Sequence, residues 1–193
     1  MEQPVHDPAQ VLSTRDKQSL LRIARQALLD HLNEEAATEY EADSPAQLRP
    51  RATFVTLRRR DSDELRGCRG ECEARRPLIE SVMSMVVAAA VDDTRFPPVT
   101  IGEVADLTIE ISALTPLRPI RPEEVVVGRH GLMIVRGRRL GLLLPQVPAR
   151  FGWDREGFLV AVCKKAGLPA DAWETDDVRL FGFETEVWGE EDK

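Results

Sequence analysis

Cys68 stands in the run Leu65-Arg-Gly-Cys-Arg-Gly, between Gly67 and Arg69 and close to Arg66. Guanidinium groups beside a thiol favour the thiolate, which is the nucleophilic and redox-active form of cysteine. Gly67 and Gly70 carry no Cβ, so the backbone there admits close approach of a ligand. The competing reading is a small residue in a tight hairpin whose glycines serve the turn. Glu110 and Ser112 are two residues apart in an alternating run, which puts a carboxylate and a hydroxyl on one face of a strand, about 7 Å apart. Arg95 is placed either to pair with Glu110 or to grip an anion with both arms of its guanidinium. His130 precedes Gly131 and offers a general base for Cys68, with Glu110 as orienter, or else a turn histidine that satisfies its own loop. Gln146 follows Pro145 and presents an amide for a ligand or for loop backbone. The candidate catalytic residues are therefore Cys68, Glu110 and His130. The candidate ligand-binding residues are Arg66, Gly67, Gly70, Arg95, Ser112 and Gln146.

Cys68 and Cys72 resemble half of a zinc site, but structural zinc asks for a second ligand pair and none follows. Cys163 sits alone in an apolar helical pattern. No metal and no cofactor is expected, since there is neither a phosphate loop with its Lys, nor a G-x-G-x-x-G turn, nor a three-cysteine cluster motif. That argues against a kinase, an NTPase, a Rossmann enzyme or a radical enzyme in its own right.

The elements that must hold these residues follow from periodicity. Residues 1–13 read as a polar tail. Ser13 or Thr14 caps a helix carrying Leu20, Ile23, Ala24, Ala27, Leu28 and His31 at helical spacing, to about Leu32 or Ala37. Glu41 to Pro50 reads as a connector. Ala52 to Arg58 is rich in β-formers, Arg58 to Glu64 is a polar turn, and Leu65 to Gly70 returns as the second strand of a hairpin. Pro77 suits the first position of a helix that is apolar on several sides between Val82 and Val91, which implies burial on several sides. Thr100 and Glu103 form a capping box for a short helix. Leu107 to Leu114 alternates as a strand. Gly131–Val135 and Leu140–Leu144 read as two further strands, and a helix runs from near Asp154 to Gly167. Val178 to Trp188 reads as one final strand, with Gly189 to Lys193 an acidic tail. Hairpins interrupted by helices give an α+β fold with an antiparallel-rich mixed sheet and packed helices.

Composition sets the outer limits. The 193 residues are 42% apolar and 31% charged, the balance of a globular chain with one sizeable core. Three cysteines are too few and too odd for a disulfide framework and suit a reducing compartment. No run reaches the roughly 20 apolar residues of a membrane helix, and the start Met1-Glu-Gln-Pro-Val-His lacks a signal peptide's pattern, so a cytoplasmic location without membrane partners is expected. The net charge is −7. Between Arg49 and Arg76 nine Arg face five acidic residues, a local +4 within an acidic protein. Polyanion binding would want aromatic platforms beside those arginines, and only Phe54 lies there, so nucleic acid is the weakest of the expected partners.

Six stretches, in order, resemble the AMMECR family, the A component of what is called the AmmeMemoRadiSam system. They are Leu65-Arg-Gly-Cys-Arg-Gly, Asp93-Thr-Arg-Phe-Pro-Pro, Ile109-Glu-Ile-Ser-Ala-Leu-Thr-Pro, Gly128-Arg-His-Gly-Leu, Gly141-Leu-Leu-Leu-Pro-Gln-Val and Lys165-Ala-Gly-Leu-Pro-Ala-Asp-Ala-Trp. The resemblance covers about Phe54 to Trp188. It implies one α+β domain, here residues 14–188, with a larger and a smaller lobe. It also implies association with a Memo-like protein and a radical S-adenosylmethionine protein, and it supplies no established reaction. Two positions depart from the pattern: Arg69 stands where the family usually has Ile, and Arg150 where an acidic residue is expected. Three functional expectations result. One is an enzyme or enzyme partner using Cys68, and another is a non-catalytic adaptor. The third and weakest is a nucleic-acid-associated factor.

Overall fold

In the computed structural model, residues 12–36 and 38–190 are described. Most of the expected N-terminal tail, the alternative helix end at Ala37 and the last three residues lie outside that range. The chain divides into two units, residues 1–113 with 187–193, and residues 114–186.

The first unit begins with helix α1 (Thr14–Leu32), whose capping box is closed from both sides. The Ser13 hydroxyl accepts from the Asp16 N–H, and the Asp16 carboxylate accepts from the Ser13 N–H. Leu20, Ile23, Ala24, Ala27 and Leu28 are buried as their spacing requires, whereas His31 is exposed. Leu12, assigned to the tail from sequence, is 4% exposed and belongs to the core. The connector holds a short helix, α2 (Pro45–Leu48), anchored by the wholly buried Gln47, which donates to Asp16.

Strands β1 (Thr53–Arg59), β2 (Leu65–Gly70), β3 (Leu107–Leu114) and β8 (Thr185–Gly189) form one sheet in the order β2-β1-β3-β8. β1 pairs antiparallel with both β2 and β3, with a bulge where Leu57 meets Gly67 but Arg58 meets Leu65. Val55, Leu57, Ile109 and Ile111 alternate onto one face and join the buried residues of α1 and of helix α3 (Leu78–Val91) in a single core. Pro77 caps α3 instead of opening it. The even apolar character of α3 overstates its burial, because Met83, Ser84, Met85, Val87, Ala88 and Val91 are only half-buried. The Thr100–Glu103 capping box is present but opens a 3-10 turn over Ile101–Asp106, not an α-helix. Gly189 closes β8, and Glu190 binds Arg25 and the Ile109 N–H, so these residues are structure where a tail was expected.

The second unit has the sheet order β4-β7-β5-β6, from β4 (Arg118–Pro119), β5 (Gly131–Arg136), β6 (Arg139–Leu143) and β7 (Arg179–Phe183). Helix α5 (Arg155–Lys165) is capped by Asp154 and buries Phe158, Leu159, Val162 and Cys163 against Leu132 and Ile134. A short helix, α4 (Gln146–Phe151), was not foreseen. The expected single C-terminal strand is two strands in two different sheets. They part at Glu184, whose N–H donates to Thr115 Oγ1 at 2.8 Å while its carbonyl accepts from the Thr115 N–H. Among the described residues no helix is long and apolar enough to cross a membrane.

Candidate functional site

Sheet register decides which candidates meet. Thr56 lies directly opposite Cys68 on β2 and directly opposite Glu110 on β3. Residues in direct register point to the same face, so Cys68, Thr56 and Glu110 form one transverse row, spanning about 10 Å at the usual strand spacing. The Thr56 hydroxyl donates to the Cys68 sulfur at 3.5 Å. The next row is Gly70, Phe54 and Ser112, and the row on the other side joins Arg58 to Thr108. Glu110 and Ser112 thus share a face. Ser112 is 2% exposed, however, while Cys68 and Glu110 are half-buried. Glu110 also borders a hollow of about 290 Å³ lined by Arg58, Arg59 and Thr108.

Charge reaches Cys68 from an unexpected direction. Asp93 is 7% exposed and sits at the outer edge of β2, where its carboxylate accepts the Cys68 N–H at 2.9 Å. The same carboxylate accepts from Arg95 Nε at 2.9 Å and Nη2 at 2.6 Å. Hydrogen bonds from the Arg95 side chain, with those from the Cys68 and Arg95 N–H groups, hold the Asp93 carboxyl well below the usual carboxylate range despite burial. Asp93 in turn raises the pKa of Arg95, with a smaller electrostatic contribution from Cys68. Arg95 is thus tied to the Cys68 backbone through the Asp93 carboxylate. Its side chain remains 57% exposed, so it can still meet a ligand.

The sequence neighbours of Cys68 serve other ends. Arg66 is 5% exposed, and its guanidinium binds Glu103 at 2.9 and 3.2 Å and the carbonyls of Pro97 and Pro98. This pairing, with the Thr100 N–H, depresses the Glu103 carboxyl to about 2. Arg69 is exposed on the opposite face, in register with Val55. Gly67 and Gly70 both lie against the protein's own atoms. A Cβ on Gly67 would lie 2.1 Å from the Ala89 carbonyl oxygen of α3, and one on Gly70 would lie 2.2 Å from the Phe54 ring. Their missing side chains admit the protein's own packing.

His130 and Gln146 belong to the second unit. His130 Nδ1 accepts the Val126 N–H at 3.1 Å, which closes its own turn, and burial followed by the Arg129 charge lowers its pKa. Gln146 is exposed at the start of α4 and not at a strand end. Arg150 is exposed in the last turn of α4, where a cation favours the helix dipole. Thr56 and Asp93 were not singled out from sequence. Alternation in β1 places Thr56 on a face, but only cross-strand register reveals its two neighbours. Asp93 carried a fainter signal, an acid two residues before an arginine in a turn.

Arg58 and Arg59 of the basic hairpin face Asp63 and Glu103. Burial, Glu73 and Glu71 push the Cys72 thiol up, and burial pushes up Cys163, which is wholly enclosed. Among the described residues no group of three or more His, Cys, Asp or Glu is arranged to hold a metal.

A family model described as AMMECR1 matches residues 21–188. The chain belongs to the AMMECR1 family. The match begins inside α1, well before the first motif quoted above. A protein of Methanopyrus kandleri is 41% identical over 191 residues, 94% of this chain and 91% of the relative. One of Thermococcus kodakarensis is 42% identical over 182 residues, 89% of each chain. The crystal structure of an uncharacterized protein from Pyrococcus horikoshii superposes with a TM-score of 0.86 at 39% identity, covering 93% of this chain and 94% of that one. The α+β architecture with two antiparallel-rich sheets is thus that of its family.

Proposed function

We propose that the first unit of this AMMECR1-family chain carries a thiol site for a small anionic molecule, and that the protein acts as an enzyme or as the substrate-holding partner of one. The observation that supports this reading is the row Cys68–Thr56–Glu110 with Arg95 tied to it through the Asp93 carboxylate. Cys68 is the nucleophile or thiol carrier, and Thr56 orients its sulfur. Glu110 accepts a proton from the ligand or through Thr56, while the exposed arm of Arg95 holds the anionic group. Asp93 positions both Cys68 and Arg95. The free thiols suit a reducing compartment, and we place the protein in the cytoplasm.

Competitive alkylation tests this. Iodoacetamide near neutral pH, read by peptide mapping, is expected to label Cys68 first, Cys72 more slowly and Cys163 last. Iodoacetate, which is anionic, is expected to gain on iodoacetamide at Cys68, beside Arg95, and to lose at Cys72, which faces Glu71 and Glu73. Labelling of Cys72 or Cys163 at the rate of Cys68 would remove the basis of the thiol reading.

A second reading is favoured by the half-covered apolar face of α3: a non-catalytic adaptor, for which the family resemblance suggests Memo-like and radical S-adenosylmethionine proteins as partners. It expects co-purification that survives Cys68→Ser. No observation favours the nucleic-acid reading.

A further inference from the structure

Helix α3 is apolar nearly all round, and a helix of that kind is ordinarily enclosed on every side. Here one stripe is left open. Glu80, Met83, Ser84, Val87 and Ala88 follow the i, i+3, i+4, i+7, i+8 spacing of a single helix face, and they line a groove of about 670 Å³ with the C-terminal part of α1. Glu80 is exposed, while Met83, Ser84, Val87 and Ala88 are half-buried. From Glu80 to Asp92 the lining runs about 18 Å at the helical rise, about the length of three turns of a docked helix. Methionine in such a floor adapts to the partner's side chains.

The rim has a sign. Among the described lining residues Glu35, Glu80 and Asp92 are exposed along it, against the cation Arg69 and the imidazole of His31. Asp30 also lines the groove, but its carboxylate already accepts from Gln26 and Thr38. An apolar floor between acidic edges complements an amphipathic helix with basic flanks. Residues 1–11 contain Glu2 and Asp7 and neither Lys nor Arg, and a second copy brings a net charge of −7 to an acidic rim. We infer that the α1–α3 groove receives a basic amphipathic helix of a partner protein. The inference deepens the adaptor reading by naming the surface and the chemistry of what binds it.

The test uses a fluorescein-labelled 15-residue peptide with a leucine stripe flanked by lysines, and a second with glutamates in their place, titrated with the full chain by fluorescence anisotropy. The lysine peptide is expected to bind, with affinity falling as salt rises, and the glutamate peptide is not. The surface double variant Glu35→Lys/Glu80→Lys is expected to weaken the lysine peptide at least tenfold and to admit the glutamate peptide. Val87→Ser is expected to weaken the lysine peptide without changing its salt dependence. Equal binding of both peptides, no binding of the lysine peptide, or an unchanged affinity in the double variant overturns the inference. So does a concentration-dependent dimer, measured by light scattering, that Val87→Ser abolishes, because it gives the face to a second copy. If the double variant still co-purifies with a partner, the groove assignment falls while the adaptor reading stands. Loss of co-purification in every variant and in the wild type sinks both.

Discussion

Replacing Glu103 by Gln removes one titrating group and leaves Arg66, which is 5% exposed, without its counter-ion. In the folded protein the Glu103 carboxyl is held at about 2 by Arg66 and the Thr100 N–H, against a usual value of 4.5. At about 1.4 kcal/mol per pKa unit, that difference corresponds to about 3 kcal/mol of stability at neutral pH. The Glu103 side chain is 27% exposed, so solvent screening reduces it, and about 2 kcal/mol is expected. The sign follows from the depressed value. The contribution is complete above pH 4.5 and fades as pH falls towards 2, because the unfolded chain takes up the proton first. Less than about half is left at pH 3. Urea unfolding of wild type and Glu103→Gln at pH 7 and pH 3 measures it. Asp93 titrates in both proteins, so its own acid dependence cancels in the difference. The expected gap is about 2 kcal/mol at pH 7 and under 1 kcal/mol at pH 3. A gap of the same size at both pH values refutes the linkage.

Two further substitutions probe the packing that holds Cys68. Gly67→Ala puts a Cβ 2.1 Å from a backbone carbonyl that cannot swing aside, and thermal unfolding is expected to report a loss of about 2 kcal/mol or more, whereas Gly102→Ala, with nothing within 4 Å, serves as the near-neutral control. Ser81→Ala removes a wholly buried hydroxyl that lies 2.6 Å from Thr53 Oγ1 and donates to Glu71, so Thr53 is left with an unpaired buried group and chemical denaturation is expected to show a loss of about 2 kcal/mol.

The sequence by itself determined the local elements and the faces of the strands. Ser13 and Asp16 announce the start of α1, Asp154 that of α5, and the alternation of Leu107 to Leu114 puts Glu110 and Ser112 together. These features were legible because capping and alternation depend on neighbours within four residues. Tertiary structure alone decided the rest. Cys68 and Glu110 lie 42 positions apart and share a row only because Thr56 is in register with both, a choice set by hairpin geometry and by which face the core takes. Of the two arginines nearest in sequence, Arg69 lies on the opposite face and Arg66 is turned to Glu103, while Arg95 arrives from a distant turn through Asp93. The run from Val178 to Trp188 gave no local sign that it would part at Glu184 into two sheets, since pairing partners and not propensity assign a strand to its sheet. The open face of α3 was hidden for the same reason: apolar character states what burial would be favourable, and only packing against α1 and β2 shows how much of it the chain itself supplies.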